Sequence, residues 1–118
     1  MNLVIIDYGS GNLRSVENAF KNTIKTEKLE FTIQVTDKLE LISKADYLVL
    51  PGVGSFPDCK KGLEDINGLI DLLTYEVIKK RKKFLGICVG MQLMVNFSLE
   101  KHRTEGFCWL SGYFKKIK

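Results

Sequence analysis

Short apolar runs and helical periods alternate along this chain. Leu3-Val4-Ile5-Ile6 is a continuous apolar run closed by Gly9, Ser10 and Gly11, the pattern of a strand buried on both faces of a parallel sheet. Leu13, Val16, Phe20 and Ile24 then recur at helical spacing, which predicts a helix over Asn12 to Lys25. Glu30 to Val35 alternates as a second strand, and a short amphipathic piece, Leu39 to Ser43, leads to a third at Tyr47-Leu48-Val49-Leu50, ended by Pro51-Gly52. A glycine-bearing loop precedes helical signal from Cys59 to Asp65, and Leu69, Leu72, Leu73, Glu76 and Val77 carry it on to a basic run. Phe84-Leu85-Gly86-Ile87 reads as a fourth strand that enters a helix over Met91 to Phe97. Phe107 to Ile117 reads as extended segments around a Ser111-Gly112 turn. This order predicts an α/β fold with a mostly parallel, doubly wound sheet and helices on both faces.

Composition narrows the class. The 118 residues are enough for a single domain, and 45% hydrophobic with 27% charged residues excludes intrinsic disorder. The net charge of +4 comes mainly from Lys79-Lys80-Arg81-Lys82-Lys83 and from Lys115, Lys116 and Lys118. No aromatic residue is interleaved with the five-residue run for base stacking, so it reads as the solvated end of a helix, and no nucleic-acid partner is expected. Cys59, Cys88 and Cys108 form no CxxC pair, and His102 is the single histidine, so neither a disulfide framework nor a metal site is expected. The apolar N-terminal run is too short for a signal peptide or a membrane span, and a cytoplasmic setting is expected.

Candidate chemistry gathers at the carboxyl ends of the predicted strands, where doubly wound sheets bind ligands. Gly86-Ile87-Cys88-Val89-Gly90-Met91-Gln92 has the G-x-nucleophile-x-G form of a strand-to-helix elbow, with Cys in the place of Ser. Such a turn leaves no room for a Cβ two residues either side of the nucleophile, and the following helix N-terminus favours a thiolate. The Val89 amide would be free for an oxyanion. On these residues alone, a buried and inert cysteine is the alternative. Pro51-Gly52-Val53-Gly54-Ser55-Phe56 suits an oxyanion loop, because its glycines let the backbone approach a ligand. The lysine of a phosphate-binding loop is missing, since Pro57 and Asp58 follow. Gly9-x-Gly11 opens like a dinucleotide fingerprint, but the third glycine would fall on Arg14, so no nucleotide cofactor is expected. Asn12 and Arg14 on that turn are candidates for a partner or ligand contact, with a surface cap as the alternative.

Together, Asp7-Tyr8-Gly9-Ser10-Gly11-Asn12-Leu13-Arg14-Ser15, the Pro51 to Phe56 loop and Phe84 to Leu93 resemble the class I (triad-type) glutamine amidotransferases. Within that class the first two motifs are similar to those of the glutaminase subunits of imidazole glycerol phosphate synthases, in histidine biosynthesis. Gly106 to Gly112 is similar to the family's segment after the elbow helix. The resemblance implies a flavodoxin-like fold and a Cys-His-Glu glutaminase without a cofactor. In it Cys88 attacks the glutamine side-chain amide, and Gly52, Val53 and Val89 form the oxyanion hole. Gly54 and Gln92 would lie at the bound glutamine. It further implies a heterodimer in which ammonia passes to a (β/α)₈-barrel cyclase, with Asn12 near that interface.

Family members carry the triad His and Glu in a His-x-Glu segment far beyond the elbow, whereas this sequence runs 30 residues past Cys88. Residues 1–118 are therefore expected to form one partial domain, incomplete at the C-terminal end. His102 matches no catalytic position and reads as a solvated loop residue. The alternative function is a catalytically inactive remnant, or a docking module that keeps the Gly9 to Ser15 turn without the triad.

Overall fold

In a computed structural model, which describes residues 1–115 and 117, four parallel strands pair in the order β2-β1-β3-β4. They are β1 (Asn2–Ile6), β2 (Thr32–Thr36), β3 (Tyr47–Gly52) and β4 (Lys83–Cys88). Lys116 and Lys118, counted above in the C-terminal basic cluster, lie outside the described residues. The predicted α/β sheet is present, and its two central strands are the two continuous apolar runs. Leu3 to Ile6 and Leu48 to Leu50 are all buried, as expected of strands covered on both faces.

Successive side chains of a strand point to opposite faces, and the core divides accordingly. Val4, Ile6, Leu48 and Leu50 pack with Ile42 of α2 (Leu39–Ser43) and with Phe56, Cys59 and Leu63 of α3 (Phe56–Glu64). The same cluster takes in Leu69 and Leu73 of α4 (Leu69–Thr74), together with Val89, Leu93 and Phe107. Leu3, Ile5 and Val49 face the other way, against Leu13, Val16 and Phe20 of α1 (Leu13–Thr26). Helices thus cover both faces, but unequally. With α1 alone on the second face, Leu85 of the edge strand β4 is left 49% exposed.

Several boundaries move for local reasons. α3 begins at Phe56 rather than Cys59, because Ser55 Oγ accepts the Asp58 N–H at 3.2 Å and Pro57 fits the first turn, where no amide donor is needed. α4 ends in a π-helical turn, Tyr75–Lys79, closed by the Lys80 N–H on the Tyr75 carbonyl. That turn buries the Glu76 carboxylate, which meets Lys82 Nζ at 3.0 Å while Lys82 also donates to the Ser43 carbonyl at 2.7 Å. Lys82 is therefore a pinned residue, not part of a solvated helix end.

The largest departure is the elbow helix. Predicted over Met91 to Phe97, it is a single turn, α5 (Val89–Gln92). The carbonyls that would continue it are taken by the returning chain: Phe107 N–H donates to Leu93, Trp109 and Leu110 to Met94, Cys108 to Val95, and Gly106 to Asn96. Only glycine fits at 106, where a Cβ would come 2.2 Å from the Val95 carbonyl oxygen. Phe97 then enters a small sheet of β5 (Phe97–Ser98), β6 (Thr104–Glu105) and β7 (Tyr113–Phe114), in the order β6-β5-β7. Of the extended stretch expected past Phe107, only β7 is a strand among the described residues.

Candidate active site

Pairing of β3 with β4 sets Gly52 directly opposite Cys88 at the carboxyl edge of the sheet. Cys88 closes β4 and precedes α5 with φ 54° and ψ −118°, a positive φ that costs a residue with a Cβ roughly 1–3 kcal/mol. Its thiol is free and exposed, with no hydrogen-bond partner among the described residues. The flanking glycines are sterically obligatory. A Cβ on Gly86 would lie 2.7 Å from Met91 N and Cα, and one on Gly90 only 1.8 Å from the Leu50 carbonyl oxygen. This is the elbow read from the sequence, built as expected.

The single turn of α5 alters how a thiolate would be stabilised there. A macrodipole needs several aligned peptide units, so what remains are the first amides of the turn, which have no helical acceptor. Val89 and Gly90 carry two of these and are buried beside Gly52, whose Cβ position is 2.9 Å from Gly90 N. Gln92, one turn on, is half-buried at the end of α5. Gly54 is exposed, with φ +91°.

The Pro51 to Phe56 loop carries an arrangement that the sequence did not signal. Val53 was expected to lend its amide to an oxyanion; in the structure its N–H donates to Ser10 Oγ at 3.2 Å. The Ser10 hydroxyl also lies 3.1 Å from the Val53 carbonyl oxygen, and the buried thiol of Cys59 reaches the same oxygen at 3.3 Å. Ser10 Oγ and Cys59 Sγ are 3.2 Å apart. Two residues earlier, the Tyr8 hydroxyl donates to the Pro51 carbonyl at 2.6 Å. Burial, reinforced by Cys59, pushes the Tyr8 phenol well above the ordinary tyrosine range, so it stays a neutral donor. Tyr8 and Ser10 belong to a quoted motif, but contacts across 43 residues of sequence have no local pattern to reveal them.

Asn12 has a role within the chain: its Oδ1 accepts the Ser15 N–H at 3.3 Å and caps α1. His102 is exposed between β5 and β6. Among the described residues no three His, Cys, Asp or Glu side chains gather closely enough to hold a metal ion, and no helix is long and apolar enough to cross a membrane.

A strand-end cysteine elbow beside a glycine loop sets a thiol near backbone amides, an arrangement chemically suited to acyl transfer. Comparison with known proteins points the same way. The family model described as glutamine amidotransferase class-I matches residues 4–106. The imidazole glycerol phosphate synthase subunit HisH of Rhizobium meliloti (strain 1021) is 47% identical over 112 residues, 95% of this chain and 52% of that protein. The HisH subunit of Brucella suis biovar 1 (strain 1330) is 46% identical over 117 residues, 99% of this chain and 54% of its own length. That of Agrobacterium fabrum (strain C58 / ATCC 33970) is 47% identical over 112 residues. The chain spans about half the length of these curated relatives. With the family match covering both the Pro51 to Phe56 loop and the cysteine elbow, the chain belongs to the class-I glutamine amidotransferases.

Proposed function

We propose that this chain supplies the nucleophile and oxyanion side of a glutaminase site, as the glutaminase component of an imidazole glycerol phosphate synthase. The observation that carries the reading is Cys88, exposed at a positive φ between two glycines that cannot accept a Cβ and paired opposite Gly52. The similarity to HisH subunits over nearly the whole chain supports the choice of substrate and pathway.

In this reading a base takes the Cys88 thiol proton, and the sulfur forms a bond to the carboxamide carbon of glutamine. Charge that develops on the amide oxygen is met by backbone amides, with Val89 the principal donor and the Gly52 to Gly54 loop on the other side. The C–N bond breaks as the nitrogen receives the proton, and ammonia leaves. Water then adds to the thioester, the C–S bond breaks, and glutamate departs with Cys88 regenerated. Gln92 is placed one turn beyond the nucleophile to contact the bound glutamine. His102, exposed in the β5–β6 connection, is not assigned that role. Ammonia passes to a (β/α)₈-barrel cyclase subunit, and the Asn12 turn lies toward that partner.

The test is alkylation by a chloroketone analogue of glutamine, followed by peptide mass spectrometry. Selective modification of Cys88, slowed by L-glutamine and lost in Cys88→Ser, is expected. Modification of Cys108 at an equal rate, or labelling of Cys88 that glutamine does not slow, would refute the assignment.

A further inference from the structure

The edge of the sheet opposite Cys88, at the amino ends of β1, β2 and β3, carries a hollow built from the last turns of α1. Lys21, Lys25 and Lys28 share its mouth, about 430 Å³ in volume, with Ile24, Leu29 and Phe31. Those three apolar residues are also walls of an inner hollow of about 230 Å³, completed by Leu3, Phe20 and Tyr47. Thr23, which lines it too, spends its hydroxyl on the Ala19 carbonyl at 3.0 Å. The Phe31 and Tyr47 rings meet edge to face at 5.3 Å and stiffen that wall. Leu3, Phe20 and Tyr47 in turn line a third hollow, which reaches Leu85 on β4. The apolar path thus runs on through successive hollows, a form suited to a chain more than to a single ring.

Two ammonium groups at the mouth lack partners. Lys21 meets Glu17 at 3.3 Å, whereas Lys25 and Lys28 form no ion pair among the described residues. No Asp or Glu lines the mouth. α1 ends with the Leu29 N–H on the Ile24 carbonyl at 2.9 Å and the Lys28 N–H on the Lys25 carbonyl at 3.3 Å, a pattern that ordinarily places glycine at 28. The residue there is Lys28, at φ 53°. A helix C-terminus favours cations and so accounts for Lys25. It does not account for a lysine in a glycine position, nor for the apolar hollow that opens beside both.

We infer that this region is a binding site for a free aliphatic carboxylate of medium chain length. The carboxylate lies between Lys25 and Lys28, and the alkyl chain lies against Ile24, Leu29, Phe31 and Phe20. Burial of methylenes supplies the affinity, and the two lysines fix which end stays at the mouth, the usual division of labour in a small-molecule site. The site lies at the far edge of the sheet from Cys88 and stands whether or not Cys88 performs glutaminase chemistry.

Isothermal titration of the intact chain with sodium hexanoate, octanoate and decanoate, each below its micelle concentration, tests it. One molecule should bind per chain, about fourfold tighter for each added methylene. Lys25→Gln combined with Lys28→Gln, both at exposed positions, should weaken octanoate about tenfold and leave octanol binding unchanged. Lys38→Gln combined with Lys44→Gln removes the same charge elsewhere on the surface and should bind octanoate as the parent does. Octanoate held equally by the parent and by the Lys25 and Lys28 variant, octanol bound as tightly as octanoate, or several molecules bound per chain would each overturn the site. Sedimentation with phosphatidylglycerol vesicles, in place of one-to-one binding of octanoate, would overturn it too and assign the lysines to a lipid surface.

Discussion

Replacing Gly90 with alanine probes the elbow through a single carbon atom. The added Cβ would sit 1.8 Å from the Leu50 carbonyl oxygen, 2.8 Å from its carbon and 3.3 Å from the Pro51 carbonyl carbon. Ordinary contact begins near 3.4 Å, so the elbow and β3 must part by about 1.6 Å at the closest atom. Neither side yields readily. Leu50 is fully buried in a central strand bonded on both edges, and the segment that follows α5, Leu93 to Asn96, is held by the returning Gly106 to Leu110 amides. Overpacking of a core by a methyl typically costs 1–3 kcal/mol, and a clash with backbone belongs at or above the top of that range, about 3–4 kcal/mol here. A domain of this length has roughly 6–18 kcal/mol of stability, so the variant should fold, with a melting temperature lowered by about 15 °C. Gly54→Ala is the matched control. Its Cβ meets nothing within 4 Å, and only the φ of +91° opposes it, at about 1–2 kcal/mol. Urea unfolding followed by circular dichroism gives both values. Gly90→Ala within about 1 kcal/mol of the parent, or no costlier than Gly54→Ala, would refute the steric account of the elbow.

Tyr8→Phe should cost about 1–1.5 kcal/mol at pH 8 by removing the bond to the Pro51 carbonyl. Because burial raises the Tyr8 phenol in the folded state, the unfolded chain alone releases this proton above pH 10. The Tyr8 contribution is therefore complete below that pH and falls above it by up to about 1.4 kcal/mol per pH unit; urea titrations at pH 8 and 11 should show the gap between parent and variant closing, and a constant gap would refute it. Glu76→Gln should lower stability by about 3 kcal/mol, since it leaves the Lys82 ammonium, 11% exposed, without its counter-charge; a denaturation midpoint within error of the parent would show the pair to be dispensable. The outer edge of β4 has no strand partner among the described residues and presents Leu85, so this chain alone should self-associate and Leu85→Lys should reduce that, as read by light scattering after size exclusion; a monomeric parent would contradict it.

Legibility in the sequence followed the range of the interactions concerned. The strands β1, β3 and β4 and the helix α1 are set by runs and periods within a few residues, and their positions agree with expectation to within one or two residues. Gly86, Cys88 and Gly90 were readable for the same reason: the constraint that demands them is a local turn. α5 was not, because its length is decided by amides 106–110, which reach it only after the chain doubles back. Lys82 reads as one more charge in a basic run until the π-helical turn brings Glu76 beneath it.

The sequence by itself determined the order of strands and helices, the cysteine at a strand end and the glycines that make room for it. All of these follow from backbone sterics and hydrophobic period over short distances. Tertiary structure alone decided where the Val53 amide points, since Ser10 and Cys59 come to it from other segments, 43 residues before and 6 after. A hydrogen bond between distant residues depends on how sheet and helices pack, and no local pattern of polar and apolar positions encodes it.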